Sequence, residues 1–94
     1  MLEDLNKKLV LLLSKELELI YPKLNFKFHC YLRIAYDNTV NTKWNDIIQR
    51  PFINNINSNQ LENVISLLES YKVDKELLIL HNQKSLNYRN HGFK

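Results

Sequence analysis

Apolar residues recur along this chain at helical spacing. Over the first twenty positions Leu2, Leu5, Leu9, Leu12, Leu13 and Ile20 follow a 3.6-residue repeat, with charges between them. The spacing predicts a first helix over 1–21, ended near Ile20 because Pro22 disfavours helix at Tyr21. The stripe reads as core packing, since fewer than three heptads are present for a coiled-coil seam. The segment "KLNFKFH" (23–29) alternates like a strand, but no partner strand is evident and an isolated strand is not viable. It reads as an extended linker whose aromatics cap the core, with Asn25 placed to cap the next helix.

The second helix is predicted over 27–49. Phe28, Tyr31, Leu32, Ala35 and Thr39 share one face, with Tyr36 at its edge. His29, Arg33 and Asp37 lie opposite, four residues apart, so Arg33 and Asp37 are expected to pair on the exposed surface, worth about 0.3 kcal/mol. In the same phase Trp44, Ile47 and Ile48 would fall on this polar side. That mismatch and the weak helix formers of "DNTVNT" favour a break near 38–42, giving segments 27–38 and 42–49. The alternative is one long helix buried on two sides.

After the loop "RPFINNINSN" a third helix is predicted over 58–72, capped by Asn57 or Ser58 and burying Leu61, Val64, Ile65, Leu68 and Tyr71. A fourth follows over 74–89, capped by Asp74, with Leu77, Leu78, His81, Ser85 and Tyr88 on one side. Asn90, His91 and Gly92 supply a stop before the tail, 90–94. The expected fold is all-α: a single small domain, 1–94, of four to five helices around one Leu/Ile/Tyr core.

Composition then removes chemistry. A single glycine, Gly92, cannot build a phosphate-binding loop. The lone Cys30 forms no internal disulfide, and no Cys/His cluster has metal-ligand spacing, so no cofactor or metal is expected. His29 and Cys30 are adjacent and point about 100° apart on a helix, a poor nucleophile–base pair. The carboxylates are spread over caps and surface pairs. His81 reads as a hydrogen-bonded core histidine. The expectation is therefore no enzyme and no small-molecule substrate. The longest apolar run, Leu9 to Leu13, is too short to span a bilayer, and no cleavage site follows the Leu-rich start. A soluble protein of the bacterial cytoplasm is expected.

Charge is more informative. Residues 1–20 hold three Lys against four acids, whereas residues 21–60 hold five basic residues against two acids. From Leu77 onward there are no acids, while Lys84, Arg89 and Lys94 remain. Aromatic residues interleave with both basic zones: Tyr31, Tyr36, Trp44 and Phe52 in one, Tyr88 and Phe93 in the other. Such mixtures can bind phosphate and stack bases. The candidate partner- or RNA-binding residues are Arg33, Lys43, Trp44 and Arg50 around "HCYLRIAYDNTVNTKW" (29–44), and Lys84, Tyr88, Arg89 and Lys94 near the C-terminal end. Two bland readings stand beside them. A net charge of +3 suits an ordinary solvated surface, and Trp44 can be a core residue packed with Ile47 and Ile48.

The length, the basic helical make-up, the Asn/Lys/Ile bias and the stretch "HCYLRIAYDNTVNTKW" followed by "IIQRPF" resemble small anti-CRISPR proteins that inhibit Cas13b, the type VI-B RNA-guided RNA nuclease. The resemblance spans the full chain and transfers no individual functional residue. It implies a non-enzymatic inhibitor from a phage or mobile element, acting on a Cas13b-type nuclease, its guide RNA, or both. A mildly basic chain fits contact with RNA better than mimicry of it. A small nucleic-acid-binding regulator with a helix-turn-helix-like pair, and a protein–protein adaptor, are the alternatives.

Overall fold

The computed structural model describes the backbone of residues 2–90 and the side chains of residues 4–89. Four α-helices form among the described residues: α1 (Leu2–Ile20), α2 (Phe28–Val40), α3 (Ser58–Val73) and α4 (Lys75–Asn90). Single 3-10 turns occupy Pro22–Leu24, Trp44–Asp46 and Phe52–Asn54. No strand is present among the described residues. The all-α class is as expected, in one small domain. The predicted stop at Asn90, His91 and Gly92, the tail, and with it Phe93 and Lys94, lie outside what is described.

Local chemistry sets most helix ends. At the start of α3 the Asn57 side chain accepts from the Gln60 N–H at 2.8 Å, and the Gln60 side chain accepts from the Asn57 N–H at 3.0 Å. This reciprocal box satisfies two amides that have no partner inside the helix. Asp74 alone separates α3 from α4, and its carboxylate accepts from the Leu77 N–H at 3.0 Å. The break in the second predicted helix falls after Val40, where Asn41 turns left-handed (φ 59°) and its N–H closes onto the Asp37 carbonyl. Asparagine tolerates this conformation better than most residues. Beyond it the predicted 42–49 helix does not form; only the Trp44–Asp46 turn does. Asn25 is also left-handed (φ 59°) and closes the Pro22–Leu24 turn, so the residue preceding α2 is Lys27 and the expected Asn25 cap is corrected.

One core joins the helices: Val10, Leu13 and Leu17 of α1, Tyr31, Ile34 and Ala35 of α2, Phe52, Leu61, Val64, Leu68 and Tyr71, and Leu78 of α4. The α3 face matches the expected one, with Ile65 at its margin. The α1 face does not. Leu5, Leu12 and Ile20 are exposed, and the buried line runs through Val10, Leu13, Ser14 and Leu17. A leucine-rich helix offers more than one apolar stripe, and α2 and α3, which both pack on α1, select between them. Ser14 is tolerated inside because its hydroxyl donates to the Val10 carbonyl at 2.9 Å. At the far end of α1 the Tyr21 hydroxyl donates to the Tyr71 carbonyl at 2.6 Å, satisfying a terminal carbonyl of α3.

Helix α2 is buried on two sides despite its short length. Tyr31, Ile34 and Ala35 enter the core, and Asp37 is completely buried. The expected Arg33–Asp37 surface pair is therefore corrected. Both residues face α4, and both bond to it.

Candidate nucleic-acid interface

The polar side of α2 meets α4 through charge rather than through apolar packing. Asp37 accepts four hydrogen bonds. Arg89 donates from Nε to Oδ2 at 2.8 Å and from Nη2 to Oδ1 at 3.0 Å. The Ser85 hydroxyl donates to Oδ2 at 2.6 Å, and the backbone N–H of Trp44 donates to Oδ1 at 2.9 Å. Arg33 extends the chain of bonds, donating to Ser85 Oγ at 2.7 Å and to Asn82 Oδ1 at 2.9 Å. Asn38 adds a bond to the His81 carbonyl at 2.9 Å. A buried carboxylate is tolerable only when paired and saturated in this way. Two of the cations chosen from sequence, Arg33 and Arg89, are thus half-buried and engaged in internal hydrogen bonds, and do not form the free phosphate-binding surface expected of them.

The same carboxylate fixes the start of a second feature. With its N–H held by Asp37, Trp44 projects from the turn after α2 into an aromatic cluster. Tyr36 and Phe52 stack at 3.9 Å between centroids with 16° between planes. Trp44 meets Tyr36 edge-on at 5.8 Å and Phe52 edge-on at 5.4 Å. Phe52 is buried and anchors the group, and burial pushes the Tyr36 phenol up to about 12, so it stays neutral. Trp44 itself is half-buried and packs against the core with Tyr36 and Phe52; Ile48 also packs against the core, whereas Ile47 is exposed. The Arg50 guanidinium lies over the Trp44 ring, 5.5 Å from its centroid. The segment that carries Arg50 is closed by Asn55, whose side-chain amide donates to the Gln49 and Pro51 carbonyls at 3.0 and 2.9 Å.

Arg50 and Trp44 are therefore in contact, and Lys43 adjoins Trp44 in the chain. Lys43 is only loosely engaged by Asp46, at 4.0 Å and with both groups well exposed, a pairing of little energetic weight. Tyr36 and Phe52 complete the patch. Their aromatic character was visible in the sequence, but their mutual stacking depends on the fold returning the segment after α2 to that helix. On α4, Lys84 is exposed and Tyr88 half-buried, and neither belongs to the aromatic cluster around Trp44.

The remaining candidates for chemistry are plain. Cys30 is half-buried and His29 exposed. His81 Nδ1 is 2.7 Å from the Tyr71 hydroxyl, and burial, aided by Lys84, lowers its pKa below the ordinary histidine value. Among the described residues there is no group of three or more His, Cys, Asp or Glu side chains placed to hold a metal ion. No described helix is long and apolar enough to cross a membrane. No protein-family model, curated protein or solved structure matches the chain.

Proposed function

We propose that this chain is a non-enzymatic inhibitor of the anti-CRISPR kind, acting in the bacterial cytoplasm on a Cas13b-type RNA-guided nuclease through the nuclease, its guide RNA, or both. The observation that supports the reading is the patch of Lys43, Trp44 and Arg50. The exposed Arg50 lies over a half-buried tryptophan, Lys43 precedes that tryptophan in the chain, and the neighbouring buried carboxylate, Asp37, is already paired with Arg89. Such a patch is suited to contact phosphate and unstacked bases in a ribonucleoprotein. The test is RNA cleavage by a purified, guide-loaded Cas13b-type nuclease. Wild-type protein should suppress it, and Arg50→Glu, confirmed as folded by circular dichroism, should suppress it less. No suppression by the wild type removes the reading.

A second reading, a protein–protein adaptor, is favoured by one feature of α1. Leu5, Leu12 and Leu19 recur every seven residues and are 60%, 63% and 82% exposed. Sedimentation of wild type and Leu12→Glu separates the two: a concentration-dependent dimer lost in the variant supports the adaptor.

A further inference from the structure

The Trp44 cluster borders a cleft of about 300 Å³ lined by Tyr36, Trp44, Arg50, Pro51, Phe52 and Ile53. That is the small end of the roughly 300–1,000 Å³ of small-molecule sites, a scale that suits a single planar ring system. Its walls are rigid: Phe52 is in the core, Tyr36 stacks on it, and the Trp44 backbone is tied to Asp37. The lid over Trp44 is the guanidinium of Arg50, which is flat, cationic and able to stack on a ring while bonding phosphate oxygens. Lys43 precedes Trp44 in the chain, and Asp46, its partner at 4.0 Å, is the only acid in the sequence between Asp37 and Glu62. An apolar peptide anchor entering this cleft would have to desolvate Arg50. A nucleotide would use it.

We infer that this cleft captures one unpaired nucleobase of a single-stranded RNA, stacked in the Trp44–Arg50 wall, with the flanking phosphates on Arg50 and Lys43. The inference rests on the RNA-contacting part of the function proposed above and names what is contacted: a base, splayed from its strand, rather than the backbone alone. Single-stranded recognition of this type depends on stacking and tolerates many sequences.

Trp44 is the only tryptophan in the chain, so its fluorescence reports on this site alone. The protein is titrated with a short oligoadenylate, an abasic strand of equal length and a blunt RNA duplex, and its binding to the guide-free nuclease is followed by sedimentation. Oligoadenylate should quench Trp44 and bind more tightly than the abasic strand, and the duplex should leave the emission unchanged. Arg50→Lys, which keeps the charge and loses the stacking plane, should weaken oligoadenylate about tenfold with little change in salt dependence. Lys43→Gln should instead flatten the salt slope by about 0.7. Circular dichroism verifies that both variants fold, and the milder Trp44→Phe should retain part of the affinity. Equal binding of oligoadenylate and abasic strand, insensitive to Arg50→Lys, overturns base capture while leaving backbone contact and the proposed inhibition standing. A DNA oligonucleotide of equal length binding more tightly than oligoadenylate overturns the assignment to RNA. Co-sedimentation with the nuclease that Arg50→Glu abolishes, with no RNA bound by the wild type, makes the cleft a protein-docking surface and also overturns it. So does the absence of any RNA binding.

Discussion

Asp37 with Arg89 and Trp44 with Arg50 lie at two ends of one short stretch and its partners, yet their charges do opposite things. At Asp37 a carboxylate with no exposure is saturated by an arginine, a serine and a backbone amide. At Trp44 an arginine rests on an aromatic face at the surface. The first region fastens α4 to α2, and the second is free to meet something else. Formal charge along a sequence therefore misstates the surface. Arg33 and Arg89 count toward the net +3 but are half-buried and engaged by internal partners, so the freer basic groups are fewer, Lys43 and Arg50 among them.

The comparison is tested most severely at its buried end. Asp37→Ala leaves Arg89, Ser85 and the Trp44 amide without their acceptor, and Arg89→Ala leaves the carboxylate without its cation. Each should cost about 3–5 kcal/mol in urea unfolding. The double variant should cost clearly less than the sum, because the second substitution removes a group already orphaned. Additive losses would mean that the pair does not act as a unit.

Apolar truncation supplies a yardstick. Leu68→Ala, at a fully buried site on α3, should cost about 2–5 kcal/mol, and Leu32→Ala, only partly buried, should cost less. If Leu68→Ala proves far more costly than Asp37→Ala, the α2–α4 contact is peripheral to the fold.

At the exposed end, charge reversal should separate binding from stability. Arg50→Glu should change unfolding free energy by no more than about 0.5 kcal/mol. It should weaken RNA binding and reduce its salt slope by about one unit. Arg89→Glu should fail first by unfolding. Similar melting losses for both would erase the distinction between the two regions.

The smallest effect concerns His81, which shares the α3–α4 corner with Tyr71. Its folded pKa lies below the ordinary value of 6.5, first because of burial and then because of Lys84. The unfolded chain therefore binds the proton more readily. This contribution to stability is present above about pH 6.5 and is lost as pH falls through and below that value. Melting of the wild type between pH 7 and 5 should decline slightly more than that of His81→Gln. Identical profiles would show that His81 is uncoupled from unfolding.

Much of the fold was legible because its signals are local. The Asn57–Gln60 box spans three residues, Asp74 reaches only to Leu77, and the spacing of Leu61, Val64, Leu68 and Tyr71 repeats within α3. The weak helix formers after Tyr36 marked the break, and Asn41 completes it. The all-α character follows from such short-range terms, whereas the basic-aromatic candidates chosen the same way included Arg33 and Arg89, which the fold pairs internally.

What only the tertiary structure decided was which of several locally equivalent choices is used. On α1 two leucine stripes are compatible with the same helix, and the helices packed on it bury Leu13 and Leu17 while leaving Leu5, Leu12 and Leu19 outside. On α2 the four-residue spacing made Arg33 the natural partner of Asp37. The real partner, Arg89, is 52 residues away and is brought there by the dock of α4. Phe52 joins Tyr36 only because the fold returns the segment after α2 to that helix. A nearby cation gains a few tenths of a kcal/mol in water, whereas a saturated carboxylate beneath a helix is stabilised by the whole network around it, and no local pattern encodes that preference.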